Sequence, residues 1–123
     1  MEQWSTVTIL IADDQENVRA ALRLLLEQTT CIGVAGEAVD ATGLLLLAAY
    51  TPADLLLLDW ELPGLPADQL LRLVQYEQPA LQVVAMSSRP EAEPEALQAG
   101  AAAFLSKGSP PETVLDILAS LSN

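Results

Sequence analysis

Residues 55–64 read LLLLDWELPG, and this stretch indicates the fold class. Four consecutive leucines bounded by turn residues are typical of a strand that is buried on both faces, as in a parallel sheet covered by helices. Asp59 follows the last leucine directly, and Pro63 and Gly64 mark a turn. Because open α/β sheets bind their ligands at the carboxyl ends of strands, Asp59 is the first candidate for a functional residue.

The segments on either side of this stretch alternate between strand-like and helix-like patterns. The apolar runs predict further strands over residues 7–12, 32–38, 81–86 and 102–106. Apolar residues at helical spacing predict helices over residues 15–29, from an N-cap at Asp40 to Tyr50, from Pro66 or Ala67 to just before Pro79, over 93–99, and from a capping box at Ser109 through 114–121. Five strands that alternate with five helices predict a doubly wound α/β fold with a parallel sheet. We predict one domain over residues 1–123.

The composition excludes several classes of protein. The 123 residues carry 17 acidic and 5 basic side chains, a net charge of −12, which argues against direct binding of nucleic acid by this chain. No apolar run reaches the roughly 18–20 residues that span a bilayer, and residues 1–4 lack the pattern of a signal peptide. The single Cys31 cannot form an internal disulfide. We therefore expect a cytoplasmic location and no membrane association.

Charged and polar residues stand at the carboxyl ends of three other predicted strands, as Asp59 does at the end of the third. The pair Asp13-Asp14 ends the first strand, Ser87 the fourth and Lys107 the fifth. Mg²⁺ is bound by one or two carboxylates together with phosphate oxygens, and an aspartate can attack phosphorus to give an acyl phosphate. The sequence therefore predicts a site for Mg²⁺ and a phosphoryl group at this edge of the sheet.

Each of these residues also has a simpler interpretation. The acidic pair can cap the following helix, Asp59 and Ser87 can be turn residues, and Lys107 can be a surface lysine. Their joint occurrence at strand ends favours a common site.

Four motifs, in order, resemble those of the receiver domains of two-component response regulators. The acidic pair Asp13-Asp14 is similar to the family's pair after its first strand, and residues 56–64 are similar to its phosphoacceptor motif. Ser87 stands at the family's Ser/Thr position, and residues 100–107, GAAAFLSK, are similar to its Gly-Ala-x-x-aromatic-x-x-Lys motif. Ser88 and Gly108 depart from the usual small residue and proline, but neither departure removes a group that the chemistry needs.

The resemblance implies a flavodoxin-like receiver fold and a role for each site residue. Asp59 would accept a phosphoryl group from a histidine kinase or phosphotransfer protein, and Lys107 and Ser87 would bind its oxygens. Mg²⁺ would be held by Asp14, Asp59 and the backbone carbonyl of Glu61, with Asp13 acting mostly through water. Ser87 and Phe104 would form the conformational switch. Such a domain works in signalling and catalyses only its own phosphorylation and dephosphorylation.

Two further expectations concern the surroundings of the site. Glu61 and Arg89 lie two residues beyond Asp59 and Ser87, so we expect them to form an ion pair at the rim of the pocket. Residues 107–110, KGSP, resemble receivers that precede LuxR-type helix-turn-helix domains, which implies a C-terminal output domain in a longer parent protein. The resemblance is also compatible with a homodimer.

Two alternatives remain at the level of sequence. A phosphatase of the haloacid dehalogenase type also uses a strand-end aspartate and Mg²⁺, but that family has a second aspartate where Glu61 stands here. A receiver-like interaction module that is never phosphorylated is the other alternative, and the intact acidic set argues against it.

Overall fold

The computed structural model describes residues 6–121. It confirms the ten predicted elements and their order: β1 Val7–Ala12, α1 Glu16–Glu27, β2 Ile32–Ala38, α2 Ala41–Tyr50, β3 Leu55–Asp59, α3 Ala67–Glu77, β4 Gln82–Ser87, α4 Ala92–Ala99, β5 Ala103–Ser106 and α5 Pro111–Leu121. The segment 1–4, assessed above for a signal peptide, lies outside the described residues, so the domain bounds 1–123 stay a prediction.

The five strands form one parallel sheet in the order β2-β1-β3-β4-β5. The chain first adds β2 on one side of β1 and then adds β3, β4 and β5 on the other side. The direction of winding therefore reverses between β1 and β3, and ligands of such sheets bind at the carboxyl ends of the strands beside this reversal. Asp13 follows β1, and Asp59 is the last residue of β3.

The leucine run of β3 is unbroken because the strand is covered on both faces. Leu55 and Leu57 pack with the residues of α1 and α5, whereas Leu56 and Leu58 pack with those of α2, α3 and α4. All four side chains are at most 1% exposed. Side chains of a strand alternate between its two faces, so a strand between two helical layers needs apolar residues at every position.

The bounds of β1, β2 and α2 are as predicted, and those of the other elements differ from the predicted ones by one or two residues. β3 includes Asp59, because this residue still pairs with Met86 of β4. β4 starts at Gln82 rather than Leu81 and extends to Ser87, and α1 is shorter at both ends than predicted. The Asp40 carboxylate accepts a hydrogen bond of 2.8 Å from the amide of Gly43, which confirms the predicted N-cap of α2.

Two other features concern the helices. Gly100 ends α4 with a φ of 116°, a left-handed conformation that favours glycine. Within residues 6–121, none of the helices is both long and apolar enough to cross a membrane.

Candidate functional site

The ends of β1, β3 and β5 bring one lysine and two aspartates into contact. Lys107 Nζ lies 2.8 Å from Asp13 Oδ2 and 3.2 Å from Asp59 Oδ1. Asp14 completes the group, since Asp13, Asp14 and Asp59 each offer a carboxylate oxygen within 4.8 Å of the others. The structure thus brings together the three acids and the lysine that the sequence places at this edge.

Asp59 is buried in a way that disfavours its charge. Its side chain is 2% exposed, and its Oδ1 accepts a hydrogen bond of 3.0 Å from the amide of Glu61. Burial raises the pKa of the Asp59 carboxyl, and the nearby Asp13 raises it further, whereas the Glu61 amide and Lys107 lower it. The net pKa lies above the ordinary value, so the ionised carboxylate would be stabilised by a further cation.

Lys107 is held in its charged form by the same group of acids. Burial alone lowers the pKa of its ammonium, but the hydrogen bonds and charges of Asp13 and Asp59 together outweigh this effect and raise it. Its side chain is 14% exposed, so one face remains open toward solvent. Lys107 therefore places a positive charge beside the Asp59 carboxylate.

Asp13 is fully buried and has one carboxylate oxygen with few partners. Oδ1 accepts a hydrogen bond of 2.9 Å from the amide of Gln15. Oδ2 accepts no hydrogen bond of good geometry from residues 6–121, and it contacts Lys107 through the ion pair described above. A buried oxygen without a hydrogen bond, beside two other carboxylates, fits a hard divalent cation such as Mg²⁺. The exposed Asp14 leaves room for water and phosphate oxygens around such an ion.

The simpler interpretation of the acidic pair as the cap of α1 is not what the structure shows. The N-cap residue of α1 is Gln15, and its side chain makes no capping hydrogen bond. Asp13 does support the turn through the Gln15 amide, but its second oxygen points toward Lys107.

The end of β4 carries a second polar group, formed by Ser87, Glu61 and Arg89. Arg89 Nη2 lies 2.8 Å from Glu61 Oε2, which confirms the predicted ion pair. Ser87 is fully buried, and its hydroxyl donates to the Glu61 carboxylate, 3.0 Å from each oxygen, while accepting from the Arg89 amide at 3.0 Å. The bond between Ser87 and Glu61 was not predicted, and it engages the hydroxyl that the resemblance assigns to a phosphate oxygen.

The contacts of the described residues do not test two of the expected roles, those of Phe104 and of the Glu61 carbonyl. Phe104 is partly buried in β5, pairs with Ala85 in register and packs against the core beneath α2, α3 and α4. Its role as a switch residue stays a prediction, as does the role of the Glu61 carbonyl as a metal ligand.

Three residues near the site were missed from the sequence. Arg19 donates a hydrogen bond of 2.9 Å to the backbone carbonyl of Asp13, and Glu37 pairs with Arg19. Trp60 is only 5% exposed although it follows Asp59. The contacts of Arg19 join α1 to the end of β1 and to β2, so no local periodicity reveals them. For Trp60 a signal was available, because a large aromatic residue stands directly after a strand-end acid.

Comparisons with known proteins agree with this geometry. Residues 9–119 match the family described as the response regulator receiver domain. The response regulator UvrY of Escherichia coli is 29% identical over 117 residues, which cover 94% of this chain and 54% of UvrY. The uncharacterized transcriptional regulatory protein YhcZ of Bacillus subtilis is 32% identical over 109 residues, which cover 87% of this chain and 51% of YhcZ. The chain thus spans about half the length of the curated relatives it matches.

The solved structures show the same similarity. A crystal structure of a LuxR-family two-component response regulator from Aurantimonas aligns with a TM-score of 0.85 and 29% identity, covering 96% of this chain and 86% of that one. The parallel five-stranded sheet with five helices is therefore shared with this type of domain, and the predicted flavodoxin-like fold is confirmed.

Proposed function

The chain belongs to the response regulator receiver domain family, and from that membership we propose that Asp59 accepts a phosphoryl group from the phosphohistidine of a partner kinase or phosphotransfer protein. The observation that supports this most is the position of Lys107 Nζ, 3.2 Å from Asp59 Oδ1 and 2.8 Å from Asp13 Oδ2. A lysine shared between a strand-end aspartate and an acidic pair is suited to bind an oxygen of a group attached to that aspartate.

The transfer forms one bond and breaks one bond. An Asp59 oxygen attacks phosphorus, the bond between phosphorus and the histidine nitrogen breaks, and the nitrogen keeps the electron pair. Phosphoryl transfer is catalysed mainly by positioning and by charge stabilisation. Lys107 binds one phosphoryl oxygen, and a bound Mg²⁺ supplies further positive charge.

The metal would be held by Asp14, Asp59 and the Glu61 carbonyl, with Asp13 acting through water. The raised pKa of Asp59 is consistent with this arrangement, because burial and the charge of Asp13 outweigh the stabilisation of its carboxylate by the Glu61 amide and Lys107.

Ser87 is the residue whose contacts must change in this proposal. Its hydroxyl donates to Glu61 here, so it would leave Glu61 to donate to a phosphoryl oxygen. Together with Phe104 it would then alter the face formed by α4, β5 and α5, as local electrostatic switches do. The domain would act in signalling and catalyse only its own phosphorylation and dephosphorylation.

The similarity to longer transcriptional regulators supports a wider proposal. The curated relatives are about twice as long as the aligned region, so we propose that this domain regulates a C-terminal output domain in a cytoplasmic parent protein. The net charge of −12 argues against DNA binding by this chain itself, so we assign contact with DNA in such a protein to the output domain. No described feature favours a phosphatase of the haloacid dehalogenase type, since Glu61 binds Ser87 and Arg89 rather than standing free as an acid/base group.

The proposal is tested by exposing the chain to a small phosphodonor such as acetyl phosphate. We expect the intact mass to increase by one phosphoryl group when Mg²⁺ is present and to stay unchanged when Mg²⁺ is chelated. Asp59→Asn is expected to remain unmodified in both conditions. Equal modification of the parent chain with and without Mg²⁺ would refute the metal-dependent mechanism.

A further inference from the structure

We propose that Arg19, oriented by Glu37, is a positioning residue that holds the acidic pair in the geometry needed for Mg²⁺. This inference rests on the proposed metal site and extends it to residues that do not touch the metal. Arg19 Nη1 donates to the backbone carbonyl of Asp13 at 2.9 Å, and Nε donates to Glu37 Oε1 at 3.1 Å. The Arg19 side chain is only 16% exposed, so these bonds are shielded from water.

The backbone of Asp13 is tied on both sides. Its amide donates to the carbonyl of Ala38 at the end of β2, 3.0 Å away, and its carbonyl accepts from Arg19. The first bond fixes the loop to the sheet, and the second fixes it to α1. The guanidinium can serve both Asp13 and Glu37 at once because its donors form a rigid planar fork.

Loss of the Arg19 bond would leave the carbonyl of a buried residue without its described side-chain partner. A buried polar group without a partner is costly, so the loop would shift or admit water. Asp13 and Asp14 move with this backbone, whereas Asp59 stays fixed in β3. Mg²⁺ requires near-ideal octahedral geometry, so a small displacement of the pair relative to Asp59 lowers the affinity for the metal.

Arg23 offers a matched control on the same helix. It pairs with the other carboxylate oxygen of Glu37 and carries the same charge as Arg19. It lies one turn further along α1, is 42% exposed, and has no described bond to Asp13. Substitution of Arg23, like that of Arg19, therefore removes one positive charge and one ion pair with Glu37. It leaves the hydrogen bond from Arg19 to the Asp13 carbonyl in place.

The direction of the effect separates positioning from simple electrostatics. Removing a positive charge near a cation site makes the local potential more negative, so electrostatics alone would tighten Mg²⁺ binding in both variants. Positioning predicts weaker binding for Arg19→Gln only. Changes in the hydrogen-bonding partners of metal ligands typically weaken metal binding about 10–100-fold.

The experiment is a Mg²⁺ titration followed by Trp60 fluorescence, with calorimetric titration as an independent readout. A Trp4→Phe background leaves Trp60, next to Asp59, as the single tryptophan. We expect Arg19→Gln to raise the dissociation constant about tenfold and Arg23→Gln to leave it unchanged or lower it. Thermal melts without Mg²⁺ establish that both variants are folded at the temperature of the titration.

Arg19→Lys is the second variant, used if Arg19→Gln does not fold. It keeps the charge but lacks the rigid fork, so we expect it to bind Mg²⁺ more weakly than the parent. Equal Mg²⁺ affinity in the Arg19 and Arg23 variants would overturn the positioning role while leaving the proposed metal site intact. A parent chain that does not bind Mg²⁺ would instead overturn the metal site and this inference together.

Discussion

Asp54 and Asp59 lie at opposite ends of β3, and the same side chain has opposite surroundings at the two ends. Asp54, just before the strand, is exposed and its Oδ2 accepts a hydrogen bond of 2.8 Å from the amide of Thr8. Its own amide and carbonyl bond to Thr8 and Gln82, so it completes the backbone pairing of three strands. Asp59 is buried beside two other acids and one lysine.

The difference shows that position along the strand, and not residue type, decides the role of an aspartate here. At the amino ends of the strands a backbone amide is available, and it satisfies the charge of Asp54. At the carboxyl ends the acids of neighbouring strands meet, so their charges need a cation. Asp54 thus pairs with the backbone, whereas Asp59 is buried where its charge is disfavoured, as the proposed metal and phosphoryl site requires.

The largest expected effect follows from removing the lysine that the acids share. Lys107→Met leaves Asp13 and Asp59 buried without their cation, and removal of one partner from a buried ion pair costs about 3 kcal/mol. We expect the free energy of unfolding in metal-free buffer to fall by about this amount, measured by urea denaturation. Mg²⁺ should restore part of the loss. A variant as stable as the parent without Mg²⁺ would show that water compensates the two acids.

The next prediction tests whether the carboxyl end is the metal-binding end. We expect Mg²⁺ to bind only the native arrangement of the acids, so at ten times its dissociation constant it should stabilise the parent by about 1.4 kcal/mol. Thermal melts with and without Mg²⁺ measure this effect. Asp14→Ala is expected to lose most of the shift and Asp54→Asn to keep it. An equal loss in both variants would contradict the assignment of the metal to one end of β3.

Substituting the two aspartates of the comparison should change stability in opposite directions. Asp54→Asn weakens the bond to the Thr8 amide and is expected to lower the free energy of unfolding by about 0.5 kcal/mol. Asp59→Asn removes a buried charge whose carboxyl has a raised pKa, so at neutral pH and without Mg²⁺ it is expected to melt at a higher temperature than the parent.

The stability difference between Asp59→Asn and the parent should depend on pH in a defined direction. Asp59 binds its proton more tightly in the folded state than in the unfolded state, so the parent loses stability as pH rises from the unfolded pKa of about 3.9 through the folded pKa. The advantage of Asp59→Asn should therefore be absent near pH 3.5 and grow toward neutral pH in melts across this range. An advantage that is constant with pH would assign it to packing instead.

The smallest expected effect concerns the rim of the site. Glu61 binds both Arg89 and the Ser87 hydroxyl, and we expect these rim side chains to control the entry of the water that hydrolyses the acyl phosphate. We expect Glu61→Ala with Arg89→Ala to change the rate of dephosphorylation severalfold, which requires less than about 1.4 kcal/mol in the barrier. Loss of phosphate is followed by intact mass over time. An unaltered decay rate would show that the rim does not gate water.

The sequence predicted the elements and the gathering of the site, because both depend on local patterns. The leucine run of β3, the acids after β1 and β3, and the lysine after β5 each mark a strand and its end. Parallel pairing then places these ends at one edge. The ion pair between Glu61 and Arg89 was predictable for the same reason, since each residue follows a site residue by two positions.

The remaining contacts could not be predicted because they depend on side-chain conformation across separate elements. The bond from Ser87 to Glu61 and the bonds of Arg19 to Asp13 and Glu37 leave no periodic signal in the sequence. Whether a buried hydroxyl binds a neighbouring carboxylate or remains free is decided by packing.

The location of the phosphoryl group after reaction with acetyl phosphate and Mg²⁺ tests the central claim most directly. Peptide mapping by mass spectrometry under conditions that preserve acyl phosphates would identify the modified residue. We predict one phosphoryl group, on Asp59, with unchanged labelling in Asp54→Asn and none in Asp59→Asn. A phosphoryl group on another residue, or full labelling of Asp59→Asn, would contradict the account.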